Sequence, residues 1–161
     1  MNEVKFNTQI CTNSEQSARL LAMGLKPETA DMYITNMSKK GMSYTDDWQI
    51  GSISYTDVCM FWKEKGLKIE DTAWEIVPAW SLHGLIELLP QHIHLDCYED
   101  THYWLVIDPL KVIYKNSHGL WIYQCDEGGL YDKLINTIEW TIKNNHFNKE
   151  YYYERCKHNN Q

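Results

Sequence analysis

Between His92 and Gln124 four short strand-like runs alternate with turn chemistry, and this limits the fold more than any other feature of the chain. The runs are His92–Tyr98, Tyr103–Asp108, Lys111–Lys115 and Leu120–Gln124. β-Branched and aromatic side chains recur in them, as a pleated, half-buried surface favours. Asp108-Pro109 and Asn116-Ser117-His118-Gly119 supply the turns, so neighbouring strands are expected to pair antiparallel as a meander. Gly128-Gly129 then opens a helix to about Asn145. Its Tyr131, Leu134, Ile135, Ile138 and Ile142 fall within roughly 100° of arc, the width of a core-facing stripe. Helices segregated from an antiparallel sheet make an α+β domain, here with two to three helices.

The segment from Pro78 to Pro90 carries the clearest local signal in the first half. Ser81 is a strong N-cap, and Trp80 before it can pack on Leu85 as a hydrophobic staple. Leu82, Leu85, Ile86 and Leu89 form one stripe, and Pro90 stops the helix. Trp80, Ser81 and Leu85 are therefore the expected structural keystone. An earlier helix is expected over Ser14–Leu25, with Thr12 and Glu15 as its capping box and Ala18, Leu21, Ala22 and Leu25 on one face. Gly24 and Pro27 end it. Met32–Met37 reads as a strand, although Ala30, Ile34 and Met37 also fit a helical stripe. Trp48–Tyr55 and Val58–Trp62 look strand-like.

A chain of 161 residues with 43% hydrophobic residues and seven Trp suits one domain with its own core. The expected division is a globular unit over 1–147 and a polar tail over 148–161 that frays. No run approaches the roughly 20 apolar residues of a membrane span, and Met1–Lys5 lacks a secretory pattern. Five scattered cysteines without a CxxC indicate neither a disulfide framework nor a zinc knuckle, so a reducing cytoplasm is the expected location. A net charge of −7 argues against nucleic-acid or anionic-membrane binding. It permits a basic protein partner, but solubility is the simpler explanation.

His92-Ile93-His94-Leu95-Asp96 looks most like chemistry. On a strand, His92, His94 and Asp96 project from one face and could ligate a transition metal. The spacing resembles the HxHxDH element of metallo-β-lactamase-like hydrolases, but Cys97 stands where the last His belongs and a helix replaces the preceding strand. An amphipathic strand with Ile93, Leu95 and Cys97 inward accounts for the pattern, so no metal or other cofactor is expected. Cys125 with His118, or Cys97 with His102, could form a nucleophile pair only in an activating setting that linear sequence does not show. The acidic doublets Asp46-Asp47, Glu70-Asp71, Glu99-Asp100 and Asp126-Glu127 read as solvated turns. No phosphate-binding loop, nucleophile elbow or H-E-x-x-H motif occurs, and no catalytic residue is assigned.

Trp140 does not fit the core stripe of its helix: it lies about 180° from the stripe's centre, and Phe147 follows on the same outer side. Both are interface candidates, since aromatic residues are enriched in interface cores. Either Tyr151–Tyr153 fold back over them or a second copy does, as a weak homodimer.

Gly24-Leu25, Thr29-Ala30-Asp31-Met32, Pro78-Ala79-Trp80-Ser81-Leu82 with Leu85 and Leu88-Leu89-Pro90, Trp121-Ile122-Tyr123 and Trp140 together resemble a family of small proteins of unassigned function. These are encoded in gut-bacterial genomes, prophages and mobile elements. The resemblance spans most of residues 14–147 and implies no catalytic residues. With the absent motifs and acidic surface, it leads to the expectation of a non-enzymatic binding or accessory protein with a protein partner. A metal-dependent hydrolase and an acidic nucleic-acid mimic are the alternatives.

Overall fold

Helix α1 (Ser14–Ala22) begins at Asn13, whose side chain accepts the Gln16 amide at 2.8 Å while Gln16 Oε1 accepts the Asn13 amide at 3.2 Å. This reciprocal box satisfies amides that a helix N-terminus otherwise leaves without partners. The computed structural model describes residues 9–36, 48–68, 74–95 and 102–153. Thr12, the cap expected from the sequence, lies fully buried instead. Its Oγ1 accepts the Trp80 amide at 3.0 Å and shares a 2.7 Å hydrogen bond with Ser17 Oγ. The cap sits one residue later because Asn13 caps as well as Thr12, and Thr12 is needed inside. The buried face of α1 is accordingly Ser17 and Leu20, while Ala18 and Ala22 are exposed. Gly24 ends the helix at φ +99°, and a Cβ there would stand 2.8 Å from the Tyr153 carbonyl oxygen. Both facts require glycine.

Strand β1 (Met32–Asn36) confirms the strand reading over its described part; Met37 lies outside the described residues. It is the middle strand of a three-stranded antiparallel sheet between β2 (Gln49–Gly51) and β3 (Glu75–Ala79). The strand expected over Val58–Trp62 is instead part of helix α2 (Tyr55–Glu64). Ser54 Oγ accepts the Asp57 amide at 3.1 Å, and Gly66 at φ +69° follows its last turn. A short apolar run suits either element, and here the cap and the stop decide. The strand expected over Trp48–Tyr55 is shortened to β2 for the same reason, since Ser54 and Tyr55 belong to that helix start.

After β3, helix α3 (Leu82–Leu88) leads into β4 (His92–His94), β5 (His102–Ile107), β6 (Val112–Lys115) and β7 (Trp121–Cys125). These four strands form one antiparallel meander in chain order. Helix α4 (Leu130–Lys143) starts at Gly129 and packs against β6, β7, α1 and α3. The α+β class and the C-terminal meander therefore stand as expected, with four α-helices among the described residues rather than two or three because α2 is helical. No helix among the described residues is long and apolar enough to cross a membrane. The segment after α4 does not simply fray. Lys26 N–H donates to Tyr151 O at 2.9 Å and Tyr153 N–H to Gly24 O at 2.8 Å, so residues 148–153 dock on the end of α1.

Trp80 sits at the junction of these elements and is fully buried. Its amide donates to Thr12 Oγ1, its carbonyl accepts the Thr12 amide at 2.9 Å, and its indole N–H donates to Thr29 Oγ1 at 3.0 Å. A large ring is thus buried with every polar atom paired, as burial of an indole demands. Leu85 is fully buried in the same apolar cluster. We predict that Trp80→Ala costs about 3–5 kcal/mol and Trp80→Phe less, whereas Ser81→Ala costs about 1 kcal/mol. Chemical denaturation measures all three, and a neutral Trp80→Ala would remove the ring from this role.

Candidate functional site

The first pairing that could suggest catalysis is Asp31 with Ser81. Asp31 Oδ1 accepts the Ser81 amide at 2.8 Å and Oδ2 accepts the Ser81 hydroxyl. That hydroxyl in turn accepts the Gly84 amide at 3.0 Å. Ser81 Oγ thus donates its proton to the carboxylate while it caps α3, and the carboxylate orients the cap. A Cβ at residue 84 would come within 2.7 Å of Asp31 Oδ1, so glycine lets the carboxylate lie against the helix. The Thr29–Met32 and Pro78–Leu82 segments, quoted above for the resemblance, meet here through Asp31–Ser81 and Thr29–Trp80.

The nucleophile pairs fare differently. Cys125 is buried at the end of β7, where Asn136 Nδ2 donates to its sulfur at 3.5 Å. His118 is exposed in the turn before β7, at the strand's other end, so the two are held apart. Cys97 lies outside the described residues, as do Asp46-Asp47, Glu70-Asp71 and Glu99-Asp100. Asp126 and Glu127 are exposed in the turn before α4.

Trp140 and Phe147 do not form the outward patch that periodicity suggests. Trp140 is half-buried and stacks on Tyr123 with ring centres 4.5 Å apart, with Tyr114 at 5.8 Å and His146 at 5.5 Å. Phe147 is only 4% exposed and meets Tyr151 and Tyr152 edge-on at 6.2 and 5.8 Å. The sheet covers one ring and the C-terminal segment the other. The surface on which a homodimer was expected is filled from within the chain. Burial pushes the Tyr123 hydroxyl up to about 12, against a smaller lowering by its hydrogen bond with Thr137, so it stays neutral under this stack.

The face of the meander turned away from α4 is different. Leu105 N–H donates to Gln91 O at 3.0 Å, which makes Gln91 and Leu105 a hydrogen-bonded pair. By alternation His92/Trp104 and His94/His102 are non-hydrogen-bonded pairs, whose side chains stand closest. Ile93, between the two histidines, is buried, as the amphipathic-strand reading requires. His92, His94 and His102 are all exposed. The His94 and His102 ring centres are 4.5 Å apart, His92 and His102 6.3 Å, and His102 and Trp104 5.9 Å. Asp96 lies outside the described residues. As the rings stand, no three or more His, Cys, Asp or Glu side chains among the described residues are arranged to hold a metal ion.

A second row crosses the same sheet. His92 opposes Trp104, Trp104 opposes Lys115, and a bulge in β7 brings Trp121 opposite Lys115. Trp104 is 48% and Trp121 61% exposed, and Lys115 is also exposed. Two large indoles left in water beside a lysine form a surface that packing within the chain does not explain. No Asp or Glu occurs within β4–β7, although the chain has 22 acidic residues.

No family profile, curated protein or solved structure matches this chain. The site is therefore defined by its own geometry.

Sequence reasoning found His92 and His94 but not the partners that give them a surface. His102 and Trp104 are brought in by register, and Trp121 by a one-residue bulge, neither of which a linear pattern displays. Near α4, burial holds the His146 imidazole below its ordinary value of 6.5, and hydrogen bonds from Lys143 and Arg19 hold Glu139 below 4.5. For His146 the unfolded chain takes the proton first, so its contribution falls as pH drops through about 6.5. For Glu139 the contribution is present above about 4.5 and lost as pH falls through its lower folded value. We predict that urea midpoints fall in two stages on acidification and that His146→Gln removes the first; a midpoint flat through the first stage in the wild type would contradict this.

Proposed function

We propose that this protein is a non-enzymatic binding component, an accessory protein of a mobile-element or host-interaction system, whose contact surface is the open face of the β4–β7 sheet. The observation that carries this reading is the row Trp104–Lys115–Trp121 across β5, β6 and β7, with both indoles exposed on the strands that flank β6. Trp residues are the commonest anchors of protein interfaces, because one ring removes a large apolar area from water at little rotamer cost. Anchors on strands are held more firmly than anchors on loops. The strands lack carboxylates, so the expected partner is a protein that presents acidic side chains to Lys115 and apolar ones to the indoles. An acidic nucleic-acid mimic would need carboxylates in one stripe, and strands β4–β7 contain none. The resemblance to prophage and mobile-element proteins supports the cellular setting.

The test is affinity capture from the native cell with the wild type and with Trp104→Ala/Trp121→Ala. The exposed double variant should keep the wild-type unfolding free energy to within about 0.5 kcal/mol per site. Each anchor lost should weaken the partner by about 2 kcal/mol or more. A partner retained equally by the double variant would move the contact surface elsewhere on the molecule.

A further inference from the structure

We propose that His92, His94 and His102 form a surface site for one divalent transition-metal ion of the zinc class. Two imidazoles come from one strand at i and i+2, which places them on one face. The third stands directly across from His94 in a non-hydrogen-bonded pair, where cross-strand side chains approach closest. The diagonal from His92 to His102 is about 7–8 Å between backbone positions, still within reach of long side chains. Backbone register therefore sets three imidazole-bearing residues side by side on one face of the sheet.

The ring separations have the right scale. Two imidazoles bound through nitrogens ~2.0–2.1 Å from one tetrahedral ion hold their ring centres about 5 Å apart. The observed separations of 4.5 Å for His94–His102 and 6.3 Å for His92–His102 lie on either side of that value. The rings as placed do not yet converge. Closing the set takes rotation about χ1 and χ2 of exposed side chains, motions of picoseconds to nanoseconds, and at His94 the exchange of its present interaction for the ion.

The ligand type selects the ion. Three neutral imidazoles suit zinc, copper or nickel and disfavour magnesium and calcium, which take oxygen ligands. Three protein ligands leave a fourth position open to water or to a donor from a bound molecule. Because all three rings are on the surface, the ion is not part of the core, and the fold does not depend on its occupancy. This separates the proposal from a structural zinc site, whose removal unfolds the domain. It is also independent of the partner proposed above, since Trp104 and Trp121 are not ligands.

The test uses the full chain without a histidine tag and zinc alone as the probe. Titration calorimetry should show about one equivalent bound. His94→Ala and His102→Ala should each weaken it at least about tenfold, and His92→Ala should weaken it too. His83→Ala, an exposed histidine paired with Glu87 on α3, should change nothing. Imidazole nitrogen spectra of the wild type should shift at His92, His94 and His102 and not at His83 or His118. That measurement stands whether or not a variant folds. Wild type without saturable binding up to about 1 mM zinc would overturn the site. So would binding unchanged in both the His94 and His102 variants, or binding weakened equally by His83→Ala.

Discussion

The indole of Trp80 is the contact on which the rest of the structure depends. It lies in the stretch that joins β3 to α3, where the N-terminal segment at Thr12 and the turn at Thr29 arrive, in one apolar cluster with residues of α4. An indole is too large to bury at the edge of a core and carries a donor that must be satisfied. Thr29 takes that donor, and Thr12 takes the backbone amide while giving its own amide to the Trp80 carbonyl. Two threonines from distant parts of the sequence are thereby fixed to one ring. Asp31 repeats the arrangement one residue along, tying Ser81 to the start of β1. These polar contacts join the N-terminal segment and the start of β1 to the start of α3, beside the apolar packing of the core.

This explains which parts of the fold were legible in the sequence. Where one local device fixed the chain, as Ser81 does before Leu82 or Gly129 before Leu130, the element and its boundary could be read directly. Turns containing Asp108-Pro109 and Asn116–Gly119 likewise announced the meander. Thr12 was misread because a threonine before a helix is an excellent cap, and only its distant partner Trp80 shows that the hydroxyl is used elsewhere. Val58–Trp62 was misread because five consecutive apolar residues have no period to read. There the outcome rests on Ser54.

Helix α4 shows a different limit. Its apolar stripe was visible, yet Lys133, Thr137 and Thr141 are also buried. The threonine hydroxyls donate back to Lys133 O and Ile138 O, and Lys133 Nζ reaches Pro109 O at 3.2 Å. Such residues meet their hydrogen-bonding needs locally and expose carbon to their neighbours, so a hydrophobic count treats them as surface. The helix is in fact packed on more than one side. Trp140 looked out of place only because the side it occupies was taken for solvent, when it is the side that meets Tyr114 and Tyr123.

With α4 occupying the inner face of the meander, the outer face carries the exposed side chains of β4–β7, and its edges are built differently from its face. An exposed sheet can also recruit other chains through its edges, by backbone pairing. Here β4 is only three residues long, and β7, the other edge, is bulged between the positions opposite Tyr114 and Lys115. Short and bulged edges discourage added strands. The same bulge that blunts β7 brings Trp121 into line with Lys115 and Trp104. Its opposite edge, β4, carries His92 and His94 beside His102 across the ladder. One irregularity and one short strand thus blunt the edges while arranging indole, imidazole and ammonium groups on the outer face.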